Sequence, residues 1–120
     1  MLLQKGYENM NVKRGELYYA DLSDGVGSEQ SGIRPVIIIQ NDYGNRYSTT
    51  TIVSPLTSSK KKRMPTHILI HSRDELKGNS IALLEQMRTI DKVRLIKKIG
   101  ELTPEEMKKI NKCIKISLNV

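Results

Sequence analysis

Four β-branched residues, Val36-Ile37-Ile38-Ile39, follow one another directly behind Arg34-Pro35. A run with no polar interruption has no solvent face, and side chains stiff at χ1 favour extended backbone, so residues 35–40 read as a buried strand. An interior strand needs neighbours on both edges. Residues 16–21, 51–56, 67–70 and 80–90 have the same strand-forming character, and turn-rich segments separate them: 23–33 with Gly25, Gly27 and Gly32, then 41–46, 58–65 and 72–79. Short strands divided by loops point to a small barrel or sandwich. The chain has neither Trp nor Phe, so Ile, Leu and Val must fill its core.

The pattern changes at both ends. Residues 1–10 follow neither a period of two nor one of 3.6 and read as a loose extension ahead of a single domain over 11–120. Near the C-terminus, Thr103-Pro104-Glu105-Glu106 supplies an N-cap, a proline at the first helical position and a glutamate at the third. Met107, Ile110, Ile114 and Leu118 then recur at helical spacing. Residues 91–99 fit either a short helix capped by Asp91 or a turn entering another strand.

Length and charge exclude several classes of function. At 120 residues the chain is one domain, and a domain of this size buries roughly 60 to 70% of its unfolded surface, enough for a core without disulfides or a structural metal. The single cysteine, Cys113, leaves no internal disulfide and no multi-cysteine metal site, and it reads as a small core or boundary residue. No apolar run reaches the roughly 18 residues of a membrane span, and Leu2-Leu3 is too short for a secretory core, so a cytoplasmic location is expected. A net charge of +7 favours an anionic partner, with nucleic acid ahead of a membrane surface.

Several chemistries lack their residues. There is no phosphate-binding Gly-x-x-x-x-Gly-Lys loop, no Gly-x-Gly-x-x-Gly and no His-Glu-x-x-His, so triphosphate hydrolysis, dinucleotide redox and zinc proteolysis lose support. His67 and His71, four apart in the expected strand, would lie about 13 Å apart along it, too far to chelate one ion. Arg34 closes the glycine-containing loop, and the following Pro35 biases it toward extended geometry at a strand mouth. Thr57 stands at a comparable place, behind Pro55 at the end of the 51–56 strand. The pair suits a phosphate if the two strands align at that end; the plainer alternatives are an ion pair of Arg34 with Glu29 and a turn role for Thr57.

Lys13-Arg14-Gly15-Glu16-Leu17-Tyr18, Gly27-Ser28-Glu29-Gln30-Ser31-Gly32-Ile33-Arg34-Pro35-Val36, Gln40-Asn41-Asp42, Pro65-Thr66-His67 and Leu84-Glu85-Gln86-Met87-Arg88-Thr89-Ile90-Asp91 stand in this order in the chain. Over about residues 11 to 118 the sequence thereby closely resembles the MazF/PemK toxin family. The resemblance implies an α+β, mostly-β fold: a small SH3-like, PemK/CcdB-like barrel with a C-terminal helix, assembled as a homodimer. It implies a ribosome-independent endoribonuclease that cuts single-stranded RNA at short motifs containing ACA and is restrained by a cognate MazE-like antitoxin. By the same resemblance Arg34 and Thr57 match the catalytic positions and Glu29 an acidic residue that influences activity. Ser28 and Gln30 belong to a mobile loop that helps enclose RNA, and Gln86 and Arg88 lie near the RNA surface.

The residues themselves are compatible with that chemistry. RNA carries its nucleophile in the 2′-OH, so no cofactor and no metal is required, and the expected ends are a 2′,3′-cyclic phosphate and a 5′-OH. Two alternatives share the fold. A gyrase-binding toxin depends on a C-terminal tryptophan, and this chain ends Ser117-Leu118-Asn119-Val120 without any Trp; a non-catalytic nucleic-acid-binding barrel needs only the basic charge. The run Lys60-Lys61-Lys62-Arg63 fits either a solvated loop or part of an RNA track.

Overall fold

The computed structural model describes residues 11–58 and 63–120, so the expected N-terminal extension and Lys60 to Lys62 of the basic run lie outside the described residues. The elements in chain order are β1 (Glu16–Asp21), β2 (Ile33–Ile38), a short helix α1 (Asp42–Tyr47), β3 (Thr50–Thr57), β4 (His67–Ile70), β5 (Ser80–Leu83), β6 (Arg88–Asp91), β7 (Leu95–Glu101) and the C-terminal helix α2 (Pro104–Leu118). Every strand pairing is antiparallel, in the order β4-β5-β3-β2-β1-β7, with β6 also on β3. The mostly-β content and the C-terminal helix match the expectation. The sheet, however, does not close on itself: β4 and β7 end it.

The β-branched run owes its composition to burial on both faces. Val36 and Ile38 pack with Tyr18, Ala20, Val53, Ile90 and Leu95, whereas Ile37 and Ile39 pack on the opposite face with Leu17, Leu56, Leu84, Ile99 and the helix residues Ile110 and Cys113. Alternating side chains of one strand thus serve two cores. Each fully buried Ile or Leu contributes roughly 1.5 to 3 kcal/mol relative to exposure, so β2 is the strand on which both cores depend.

Residues 80–90 form two strands instead of the single one expected. Leu56 of β3 faces Ala82 and Val53 faces Arg88, so three steps along β3 are matched by six along the second segment. The three extra residues, Leu84–Gln86, are looped out as a 3-10 turn. Leu84 turns into the core and is fully buried, which holds the turn against β3 and leaves Glu85 exposed beside it. Residues 91–99 combine both alternatives: a 3-10 turn over Lys92–Arg94, capped by Asp91 accepting from the Val93 N–H at 2.9 Å, then β7. Lys92 is buried and donates to the Asn45 carbonyl, and burial pushes its ammonium pKa down.

Segment 41–46, expected as a loop, largely forms α1. Asn41 caps it by accepting from the Gly44 N–H at 2.8 Å, and Asn45 is buried between the Gln40 carbonyl at 2.9 Å and the Thr51 hydroxyl at 2.7 Å. Six residues are too few for a helical period to be visible in the sequence.

Helix α2 begins as the sequence predicts, with Thr103 accepting from the Glu106 N–H and Glu106 accepting from the Thr103 N–H. Glu106 also takes both arms of Arg73, at 2.5 and 2.6 Å, which ties the β4–β5 connection to the helix start. Gly15, at φ 94°, turns the chain into β1 beneath this helix, and a Cβ there would meet the Met107 Sδ at 3.3 Å. No helix among the described residues is long and apolar enough to cross a membrane.

Candidate active site

β2 and β3 run antiparallel with Val36 opposite Pro55, so Arg34 and Thr57, each two residues further on, stand at the same end of the pair. This is the alignment on which a shared phosphate site depends. Thr57 is the last residue of β3, buried and held in a second ladder opposite Ile81. Arg34 is half-buried, its Nε donating to the Ser31 carbonyl at 3.0 Å. That bond fixes the plane of the guanidinium and leaves both terminal nitrogens without a hydrogen bond among the described residues. Arg34 forms no ion pair with Glu29, whose carboxylate instead accepts from the Val26 N–H at 2.6 Å within its own loop.

The loop between β1 and β2 is fastened to the sheet by side chains from the second half of the chain. The Gln86 amide accepts from the Gln30 N–H at 2.9 Å and donates to the Ser28 carbonyl at 3.3 Å, spanning the loop as a strand neighbour would. Arg88 donates to the Leu22 carbonyl at 3.2 Å, and Arg94 donates to the Ser23 hydroxyl at 2.6 Å. A cleft of about 430 Å³ lies between this loop and the 3-10 turn, lined by Leu22, Asp24, Glu29, Gln30, Pro55, Glu85, Gln86, Met87 and Arg88. Four of the seven residues singled out from the sequence, Glu29, Gln30, Gln86 and Arg88, therefore share one wall-to-wall space. Ser28 joins it through its backbone, while Arg34 and Thr57 are not among its lining residues.

Sequence reading did not single out Glu85 or Thr66, and it weighed His67 only together with His71, as a metal ligand. Its carboxylate accepts from the Thr66 hydroxyl at 3.1 Å through one oxygen and meets His67 Nε2 at 2.9 Å through the other. The signal lay in two separate motifs, Pro65-Thr66-His67 and Leu84-Glu85, which meet only because His67 pairs with Leu83 across β4 and β5. His71 follows the end of β4 and is exposed, whereas His67 is buried. Cys113 is buried in the helix-side core, and burial raises its thiol pKa, as expected of a packing residue. Among the described residues no three His, Cys, Asp or Glu side chains converge as a metal site would require.

The site thus sits on an open antiparallel sheet capped by a C-terminal helix, with an arginine and a threonine at one end of the β2–β3 pair and a polar cleft under the β1–β2 loop. Comparison with known proteins gives this architecture a family. Residues 13–118 match the family described as PemK-like, MazF-like toxin of type II toxin-antitoxin system. The chain is 52% identical over 111 residues to Endoribonuclease EndoA of Bacillus subtilis (strain 168), covering 91% of this chain and 96% of that protein. It is 50% identical over 111 residues to Endoribonuclease MazF of Staphylococcus saprophyticus, covering 91% and 92%. Among solved structures, an endoribonuclease in complex with its cognate antitoxin from a mycobacterial species superposes with a TM-score of 0.75 at 28% identity, over 91% of this chain and 96% of that one. MazF from Deinococcus radiodurans shares the fold at a TM-score of 0.78 and 19% identity, over 91% and 97%. The chain belongs to the PemK/MazF family of type II toxin-antitoxin toxins.

Proposed function

We propose that this protein is a sequence-specific, ribosome-independent endoribonuclease of the cytoplasm, acting as a homodimer on single-stranded RNA at short motifs containing ACA and held inactive by a MazE-like antitoxin. The observation that carries the reading is the Arg34 guanidinium, anchored through Nε with its two terminal nitrogens unspent among the described residues, at the end of the β2–β3 pair it shares with Thr57. The relatives named endoribonucleases, at 50 and 52% identity, support the same class of reaction.

In this reading the substrate's 2′-oxygen attacks the adjacent phosphorus, the bond to the 5′-oxygen breaks, and the 2′-hydroxyl proton leaves as the 5′-oxygen gains one. The products are a 2′,3′-cyclic phosphate and a 5′-OH end. The two free arms of Arg34 donate parallel hydrogen bonds to the non-bridging oxygens, and the Thr57 hydroxyl adds a donor toward the charge that develops on them. Arg34 acts as a cation, since a guanidinium keeps its proton in proteins and does not serve as a base near neutral pH. The nucleophile comes with the RNA, so the reaction proceeds without a metal ion. Glu29, which closes its own loop on Val26, shapes the approach to the cleft.

The test is incubation of the purified protein with a defined single-stranded RNA and mapping of both ends at each cut. Cyclic phosphate and 5′-OH ends at one recurring motif support the reading. Binding without cleavage would leave a nucleic-acid-binding protein, and cleavage with 5′-phosphate ends would demand a different nucleophile.

A further inference from the structure

The Pro65-Thr66-His67 segment takes no part in the phosphate chemistry, yet two of its side chains converge on one cleft residue. Thr66 Oγ1 donates to Glu85 Oε1 at 3.1 Å, and His67 Nε2 lies 2.9 Å from Oε2. The other ring nitrogen of His67 accepts from the Met64 N–H at 3.1 Å, so the proton sits on Nε2 and the ring donates to the carboxylate. The His67 side chain is 4% exposed and that of Glu85 32%. A carboxylate has about four lone-pair sites, and the donors behind it, Thr66, His67 and the residue's own backbone N–H, do not use them all. Burial opposes ionisation of Glu85, but hydrogen bonds from His67, from its own backbone N–H and from Thr66 prevail and hold its carboxyl below the ordinary value. Near neutral pH it is an anion that only accepts.

The charge of the cleft opposes that of the chain. In a protein of net charge +7, the described residues lining the cleft include the acidic Asp24, Glu29 and Glu85 and, among these described residues, one cation, Arg88, which is itself bonded to the Leu22 carbonyl. A phosphate placed there would be repelled. Gln30, on the loop side of the cleft, buries its Oε1 without a partner among the described residues. A surplus of acceptors fits an uncharged ligand group rich in N–H. Among RNA bases, adenine, cytosine and guanine carry an exocyclic amine and uracil does not.

We infer that Glu85, positioned by Thr66 and His67, is a specificity-determining residue that accepts a hydrogen bond from the exocyclic amine of a base seated in the cleft, while the backbone phosphates stay on the Arg34 side. The inference rests on the endoribonuclease reading and assigns that site its base selectivity. His67 and Thr66 are positioning residues: they touch the carboxylate, not the RNA.

The experiment is a cycle of protein and RNA changes on a substrate the protein binds or cuts. Each amine-bearing base of the motif is replaced in turn by its deaminated analogue: purine riboside for adenosine, 2-pyrimidinone riboside for cytidine, inosine for guanosine. At one position the unaltered protein should lose about 10- to 100-fold in kcat/KM, the scale of one good base contact. Glu85→Gln should lose activity on the parent RNA and show little further loss on that analogue. Thr66→Val, which removes only a donor behind the carboxylate, should shrink the penalty in part; if Glu85→Gln fails to fold in a thermal melt, this cycle decides alone. An undiminished penalty in the folded variants, or no sensitive position in an RNA that is cut normally, overturns the inference and leaves the nuclease reading intact. If cleavage is absent but RNA binds, the same cycle is read in Kd; absence of both overturns the two together.

Discussion

Arg34 and Thr57 lie at the same end of the β2–β3 pair although 23 positions apart in the chain, because the two strands are antiparallel and each residue lies two positions beyond the Val36–Pro55 pair. Arg34→Ala should reduce single-turnover cleavage by about 10²- to 10³-fold, the loss typical of one removed transition-state donor. Thr57→Ala should act in the same direction. Arg34→Lys should recover only part, since an ammonium keeps the charge and loses the fork. Thermal melts should show Arg34→Ala folded, because this half-buried side chain fills neither core. Near-normal cleavage by that folded variant would remove Arg34 from the chemistry.

Cleavage should continue at an unchanged rate in excess EDTA, since the substrate supplies the attacking oxygen and Arg34 the positive charge. The assay compares initial rates with chelator and with added Mg²⁺ on one fluorescent RNA. An absolute requirement for a divalent ion would send the search to carboxylates of the cleft.

Gln86→Ala should free the β1–β2 loop. The side-chain amide makes two bonds to it, and losing about 1 kcal/mol of net hydrogen bonding corresponds to roughly fivefold faster opening. Amide exchange measured residue by residue should accelerate at Gln30 and its neighbours and stay unchanged in β2. Equal protection in the variant would mean the loop is held by its other bonds, from Arg88, Arg94 and the Leu22–Gly32 and Ser23–Gly32 backbone pairs.

Stability should fall with acid through Glu106. The Arg73 guanidinium, with help from Thr103, lowers the Glu106 pKa from 4.5 to about 2. A carboxyl more acidic folded than unfolded stabilises the fold above the unfolded value, and this contribution is lost as pH drops from about 4.5 toward about 2. Its size is up to about 3 kcal/mol, with both partners only about a fifth exposed. Glu106→Gln should therefore lower the urea midpoint strongly at pH 7 and far less near pH 2.5. An equal loss at both values would assign the effect to the capping box and not to the ion pair.

The sequence alone determined what is local. Capping of α2 by Thr103 and Glu106 is a contact over three residues, and the β-branched run of β2 states its own burial on two faces. Arg34 and Thr57 were legible as strand-end residues, and family resemblance supplied their roles. Helix α1 was hidden by its brevity, and the openness of the sheet is a matter of which edges pair, on which composition is silent.

Tertiary structure decided the cleft. Glu85 and Gln86 reach it because β3 pairs along one edge with both β5 and β6, in registers that differ by three residues, and the surplus is expelled as a turn. His67 and Thr66 come to Glu85 through the β4–β5 ladder, 18 and 19 positions away. Such meetings follow from long-range register, which depends on how all the strands pack together. No window of neighbouring residues contains that information.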